Sequence, residues 1–237
     1  MTYYEMLYGT YALGLVSVHA VVVEPGAEAE AAIWAPPIGE LMDVRTQAEK
    51  MEATGGDLVA MCNAAFFNMH DGGPIAPYGV QIIDGVVMQE PSDDYPKYTH
   101  RWFGMTTDGG YVISDIDGYN KTYKGKLRCA VGGSYFLLRD GVVDVPDSSS
   151  IAVRTAVAVT ADGGFAILCA NNASYADLAQ IFMDLNINAT DALNLDGGGS
   201  SVLMVENENG EMEMVKVPRD GLREVANSIA IVRTGEN

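Results

Sequence analysis

Asp-Gly and Asn-Gly dipeptides punctuate this chain between short runs rich in β-branched residues. They stand at Asp84-Gly85, Asp108-Gly109, Asp140-Gly141, Asp162-Gly163 and Asn209-Gly210. Residue pairs that tolerate positive φ make the tight reversal of a β-hairpin. A chain written this way folds mainly by antiparallel pairing. Only two stretches read as substantial helices. Thr46-Gln-Ala-Glu49 has the spacing of a capping box, and Gly55-Gly56 closes that helix. Ser174 opens the second, where Leu178, Ile181, Phe182 and Leu185 fall on one stripe and Asp177 suits the first turn. The expectation is an α+β fold. It comprises one domain over residues 1–237, with mixed or antiparallel sheets, many hairpins and two main helices packed on them.

The strands follow from the apolar runs. Leu13 to Val23 reads as one or two strands, with His19 a packed strand residue, and Pro25 to Pro37 is ambiguous. Asp57 to Cys62, Ile151 to Thr160, Phe165 to Ala170 and Val225 to Val232 read as further strands. Tyr78 to Met88 is a hairpin. Arg128 to Leu138 is strand-like but broken by Gly132-Gly133, which implies a bulge or a close backbone approach. Gln89 to His100, with Tyr95 and Tyr98, has no periodicity and reads as a binding or lid loop. Met212 and Met214 alternate with Glu211 and Glu213, a half-solvated edge hairpin whose glutamates face water.

Of 237 residues, 48% are hydrophobic and 19% charged, enough for a sizeable core and unlike a disordered chain. The formal net charge of −18 repels nucleic-acid backbones and anionic membranes, and no stretch reaches the length of a membrane span. A phosphorylated substrate stays compatible, because it needs only a local positive or N–H-rich pocket. Cys62, Cys129 and Cys169 lie in apolar runs without disulfide or zinc spacing. They read as buried free thiols, a usage that fits the cytoplasm. The N-terminus carries no basic leader, and the sequence assigns no compartment.

Candidate chemistry concentrates between Asp191 and Val205. This segment reads as a buried strand, a hairpin-tight turn of Gly197, Gly198 and Gly199, and a second buried strand. Asp196 stands at its lip, and Ser200 and Ser201 follow. Such a turn either builds an amide nest for an anion or only reverses the chain. It lacks the lysine of a Walker loop and the following helix of a dinucleotide site. Arg154 is the one cation in an apolar strand, so it either pairs with an internal carboxylate or faces an anionic ligand. Asn63-Ala-Ala-Phe-Phe-Asn68 follows a strand directly, where loops build sites. The adjacent His70 and Asp71 are candidates for an acid/base pair.

Taken in order, these residues resemble the phosphodiester glycosidase family over roughly residues 60–232. The resemblance is carried by Asn63-Ala-Ala-Phe-Phe67, Gly73-Pro74 through Gly79, Phe103-Gly104-Met105 with Asp108-Gly109, Arg154-Thr155-Ala156, Ala192 to Ser201, and Asn227 to Ile229. Ala64 and Ala65 replace two glycines, and Asn171 stands where the family favours Asp-Gly. The resemblance implies cleavage of a sugar C1–O bond with a phosphate monoester leaving. Asp196 would serve the sugar and Arg154 the phosphate, together as the catalytic pair. Asn63, Phe67, Asn68, Gly79, Thr155, Asn194, Gly197, Gly198, Gly199, Ser200, Ser201 and Asn227 would bind substrate. The partner implied is a sugar-phosphodiester, free or on a glycan. No cofactor or metal is expected to be required, with room left for a divalent cation. Two competing readings are a non-catalytic sugar-phosphate or glycan-binding module and a phosphodiesterase cutting P–O. The usual two-metal form of the latter needs His/Asp clusters that the sequence lacks.

Overall fold

The computed structural model describes residues 1–10, 14–68, 75–216, 218 and 220–235. Among these, three antiparallel sheets carry the fold. The first runs in the order β1 (Thr2–Thr10), β2 (Gly14–Val23), β13 (Phe165–Ala173), β12 (Ala152–Thr160), β14 (Ala189–Asn194), β10 (Phe136–Arg139), β11 (Val142–Val143). The second is β16 (Met212–Lys216), β15 (Leu203–Glu206), β4 (Leu58–Asn63), β17 (Ser228–Arg233), β3 (Ala29–Trp34). The third is β6 (Val86–Gln89), β5 (Gln81–Ile83), β9 (Leu127–Gly133), β7 (Arg101–Thr106), β8 (Tyr111–Asp115). This is the α+β architecture expected, with helices α1 (Val44–Ala53) and α2 (Tyr175–Asp184) laid on the sheets.

One central core lies where the three sheets face each other. Phe165, Ile167 and Cys169 of β13 meet Phe103 and Met105 of β7 and Ile229 and Ile231 of β17. The alternate residues of the same strands face outward yet are also buried. Ala156, Ala158, Ala166 and Ala170 sit under α2, whose Leu178, Ile181 and Phe182 are fully buried. Burial on both faces is why these strands read as continuous apolar runs. Alanines on the helix side leave room for the larger helix residues. Each large side chain buried there contributes about 1.5–3 kcal/mol, more than the roughly 1 kcal/mol of a helix cap. The packed face therefore fixes α2, and its Ser174–Asp177 capping box sets only where it begins.

Several turns follow the dipeptide reading. Asp84 and Gly85 have φ of 47° and 78°, and Asp140 and Gly141 have φ of 50° and 75°, the mirror-image turn that matches strand twist. His19 is a buried strand residue with the Tyr3 hydroxyl 2.8 Å from its Nδ1, and burial lowers its pKa. The Gly132-Gly133 break is a close approach. A Cβ at Gly132 would lie 2.2 Å from the Tyr78 carbonyl oxygen, and one at Gly133 would lie 2.5 Å from Leu193 Cδ2. Glu211 and Glu213 are exposed.

Two expectations are corrected and one ambiguous stretch is resolved. The cap of α1 is Asp43, three residues before Thr46. Its carboxylate accepts from the Thr46 amide at 3.1 Å and the Thr46 hydroxyl at 2.8 Å. The ambiguous Pro25–Pro37 stretch holds β3, which pairs along β17. The Gly197–Gly199 segment is not a hairpin. β14 pairs with β12 and β10 in the first sheet, whereas β15 pairs with β4 and β16 in the second, so the glycines carry the chain from one sheet to another. Among the described residues no helix is long and apolar enough to cross a membrane.

Candidate functional site

The crossing between sheets positions Asp196. Leu195 donates its amide to the Thr155 carbonyl at 2.9 Å, the last rung against β12. The Asp196 amide then turns to the Ala64 carbonyl at 2.9 Å, and Asn63 Nδ2 donates to the Asp196 carbonyl at 2.7 Å. Both main-chain polar groups of Asp196 are thus held by the loop that leaves β4. Gly197 follows with no room for a side chain, since its Cβ would lie 2.7 Å from the Val153 carbonyl oxygen. Gly198 has a φ of 63°, and a short 3-10 turn runs from Gly198 to Ser200.

The Asp196 carboxylate accepts the Gly197 amide at 2.8 Å and the Ser200 hydroxyl. Burial nevertheless dominates and raises its pKa to about 6; those two hydrogen bonds and the Arg223 charge act in the opposite direction. A carboxyl so placed changes charge near neutral pH, which suits proton transfer.

Beside it opens a cleft of about 250 Å³. Its walls are Asp196, Gly197 and Gly198 from the crossing, Ala152 to Arg154 from β12, Tyr175 from the start of α2, Phe66 from the loop after β4, and Lys97 and Tyr98 from the Gln89–His100 loop. Arg154 is buried, with its guanidinium carbon 4.0 Å from the Tyr175 ring centroid. Its Nε donates to the Ala173 carbonyl at 3.3 Å and its Nη2 to the Ser150 carbonyl at 2.9 Å. No carboxylate pairs with it among the described residues, which leaves its charge for an anion in the cleft. Lys97 lies 4.8 Å from the Tyr98 ring centroid, and its pKa is raised, first by a hydrogen bond with Tyr98. Of the glycine amides, Gly197's is spent on Asp196, while those of Gly198 and Gly199 have no protein partner among the described residues. One carboxylate, two cations, the Gly198 amide and three aromatic rings therefore share this cleft.

The other candidate residues sit elsewhere. Asn63, Thr155 and Ser201 form a buried chain. The Thr155 hydroxyl reaches Asn63 Oδ1 at 2.9 Å and Ser201 Oγ at 3.1 Å, and Asn63 Oδ1 also accepts the Val202 amide at 3.1 Å. Asn194, 1% exposed, donates to Ser134 Oγ and to the Leu195 carbonyl. Asn227 accepts the Ala65 amide and donates to Gln81, fixing the loop after β4. These residues brace the cleft from beneath. Phe67 packs with the cluster under α1, so its neighbour Phe66 is the ring at the cleft wall. The Asn68 amide donates to the Ala76 carbonyl. Gly79, at φ 81°, is a junction where a Cβ would lie 3.1 Å from the Tyr98 carbonyl and 3.2 Å from Gly132 Cα. Ser200 is spent on Asp196. A Cβ on Gly199 would lie 2.9 Å from the Arg223 guanidinium. His70, Asp71, Gly73 and Pro74 lie outside the described residues.

Sequence reading missed Lys97, Tyr175 and Arg223. Arg223 follows no motif, and Tyr175 reads as an ordinary helix residue. The one usable signal was the aromatic content of the Gln89–His100 loop.

The sheets and cleft together define a β-rich protein with a hollow in which two cations stand with one carboxylate. The chain belongs to the phosphodiester glycosidase family, whose model matches residues 56–232. No curated protein sequence matches it. Among solved structures it is similar to the catalytic domain of zebrafish N-acetylglucosamine-1-phosphodiester alpha-N-acetylglucosaminidase auto-inhibited by its pro-peptide. That likeness has a TM-score of 0.72 at 18% identity and covers 97% of this chain and 82% of the other. A hypothetical protein from Synechocystis aligns with a TM-score of 0.68 at 15% identity, over 98% of this chain and 62% of that one. A protein from Burkholderia pseudomallei described as exported aligns at 0.59 and 13% identity, over 92% and 74%. At these identities the likeness is one of fold.

Proposed function

We propose that this protein hydrolyses the C1–O bond of a sugar 1-phosphodiester, releasing the free sugar and a phosphomonoester. The observation that carries the reading is the presence, in the lining of one cleft, of Asp196 together with Arg154 and Lys97. A phosphate leaves readily without strong protonation, so the site needs charge stabilisation more than a dedicated acid. Arg154, Lys97 and the Gly198 amide hold the phosphate oxygens. Asp196 works at the sugar. Its carboxylate takes a proton from the attacking water as oxygen bonds to C1, the C1–O bond breaks, and its electron pair stays on the phosphate. Family membership and the name of the zebrafish enzyme make N-acetylglucosamine the first sugar to try.

The test is a panel of sugar 1-phosphodiesters, N-acetylglucosamine first, in water enriched in oxygen-18. Wild type is expected to release sugar bearing the label, and Arg154→Ala to lose roughly 10²–10³-fold in kcat/KM. Label in the phosphate would mean P–O cleavage. No sugar release, with ligand still protecting the fold against heat, would make the protein a binding module.

The pH profile separates roles for Asp196. A diester has no second ionisation near neutrality, so a limb near pH 6 belongs to the protein. With Asp196 as base, its active form is the carboxylate, whose fraction rises with pH through about 6. Activity is therefore expected to climb through that point and level off above it. A fall above pH 6 would instead make Asp196 the proton donor.

A further inference from the structure

Four aromatic rings run outward from the cleft. Phe66 and Tyr98 line it, with centroids 4.7 Å apart. Tyr98 stacks on Tyr78 at 5.7 Å and 19°, and Tyr78 meets Tyr95 at 5.7 Å. All four are at least partly exposed, and none joins the four hydrophobic clusters of the described residues. Packing the sheets therefore does not account for them; Phe67, one residue from Phe66, does that work. Tyr95 is 61% exposed and has a φ of 53°, a region that bulky residues rarely occupy and that concentrates at ligand sites.

The loop that displays the rings is held from within. Gln89 Nε2 donates to the Pro77 and Gly79 carbonyls at 2.8 and 2.7 Å. The buried Thr99 hydroxyl lies 2.7 Å from the Ser92 carbonyl and 2.6 Å from that of Asp94. Rings fixed in this way bind without a large ordering cost. Lys97, a cation of the cleft, sits beside the ring of Tyr98, so a ligand group beyond a phosphate held there meets the ladder next.

We propose that Phe66, Tyr98, Tyr78 and Tyr95 form a subsite for the leaving-group side of the substrate, which takes an aglycone bearing a flat ring. The inference rests on the sugar 1-phosphodiester reading. Aromatic faces stack on flat π-faced rings with little regard to identity, so the ring is an aromatic one, unlike the puckered chair of a pyranose.

The experiment compares three diesters of one sugar 1-phosphate, with methyl, hexose-6-yl and phenethyl aglycones, in wild type, Tyr95→Ala and Tyr95→Phe. In wild type, kcat/KM is expected to favour the phenethyl aglycone over both methyl and hexose-6-yl. Tyr95→Ala should cut that preference roughly 10-fold, and Tyr95→Phe should keep it. Equal rates for all three aglycones, a preference for hexose-6-yl, or a preference untouched by Tyr95→Ala would overturn the subsite and leave the hydrolase reading standing. If wild type cleaves none, titration with methyl, phenethyl and hexose 6-phosphate monoesters decides. Tighter binding of the phenethyl ester that depends on Tyr95 upholds the subsite while the hydrolase reading falls, and binding no tighter than that of the other two esters removes the subsite as well.

Discussion

Asp196→Asn is expected to lower turnover roughly 10³-fold or more and, above pH 6, to stabilise the protein. The two effects share a cause. Asparagine keeps the shape of the side chain but can neither take a proton nor carry the charge. The raised pKa of Asp196, about 6, means that the folded state holds the proton more tightly than the unfolded chain. Its stabilising contribution is complete below the ordinary aspartate value and is lost as pH rises through about 6, at a cost of about 2–3 kcal/mol. The asparagine variant never incurs that loss. Melting curves at pH 8 should therefore place the variant above wild type, and the gap should close near pH 4. Near-normal turnover in Asp196→Asn would remove this residue from the chemistry. An unchanged melting temperature at pH 8 would mean that the charge is not held against a gradient.

Asn63→Ala is expected to be the most damaging single truncation beneath the site. It strands the Asp196 carbonyl and the Val202 amide, which Asn63 now satisfies, and leaves the Thr155 hydroxyl only its contact with Ser201 Oγ and a weak one with Cys169. Asn63 is fully buried, so water cannot replace it easily. Buried groups left unpaired cost about 1–3 kcal/mol each, so a loss of about 3–5 kcal/mol follows, or about 10 °C in melting temperature. Denaturant unfolding monitored by circular dichroism measures it. A shift below about 1 kcal/mol would mean that the chain of hydrogen bonds is not structural.

These two residues show how far the sequence could be read. The hairpins were legible because a mirror-image turn leaves a chemical trace, the Asp-Gly pair. Helix α2 was legible because its stripe and cap are local. The partner sheets of β14 and β15 were not, because strands buried on both faces lack the alternation that marks a neighbour. Polar residues in apolar runs, such as Asn63, Thr155, Asn194 and Asn227, were legible as special. Their task was not, since a ligand contact and a hydrogen bond to a residue 92 or 133 positions away leave the same letter in the chain. Lys97 and Arg223 became visible only when folding brought their loops to Asp196.

The passage of Leu195 to Ser201 between two sheets also makes the carboxylate a gauge of their mutual position. Leu193 and Leu203 bracket that passage and both enter the central core. A small slip of one sheet over the other would be felt at Asp196 while every strand kept its own pairing. Loss of rate would then precede loss of circular dichroism on warming, and the working temperature of the protein would be set by the seam between its sheets, below the temperature at which the sheets themselves come apart.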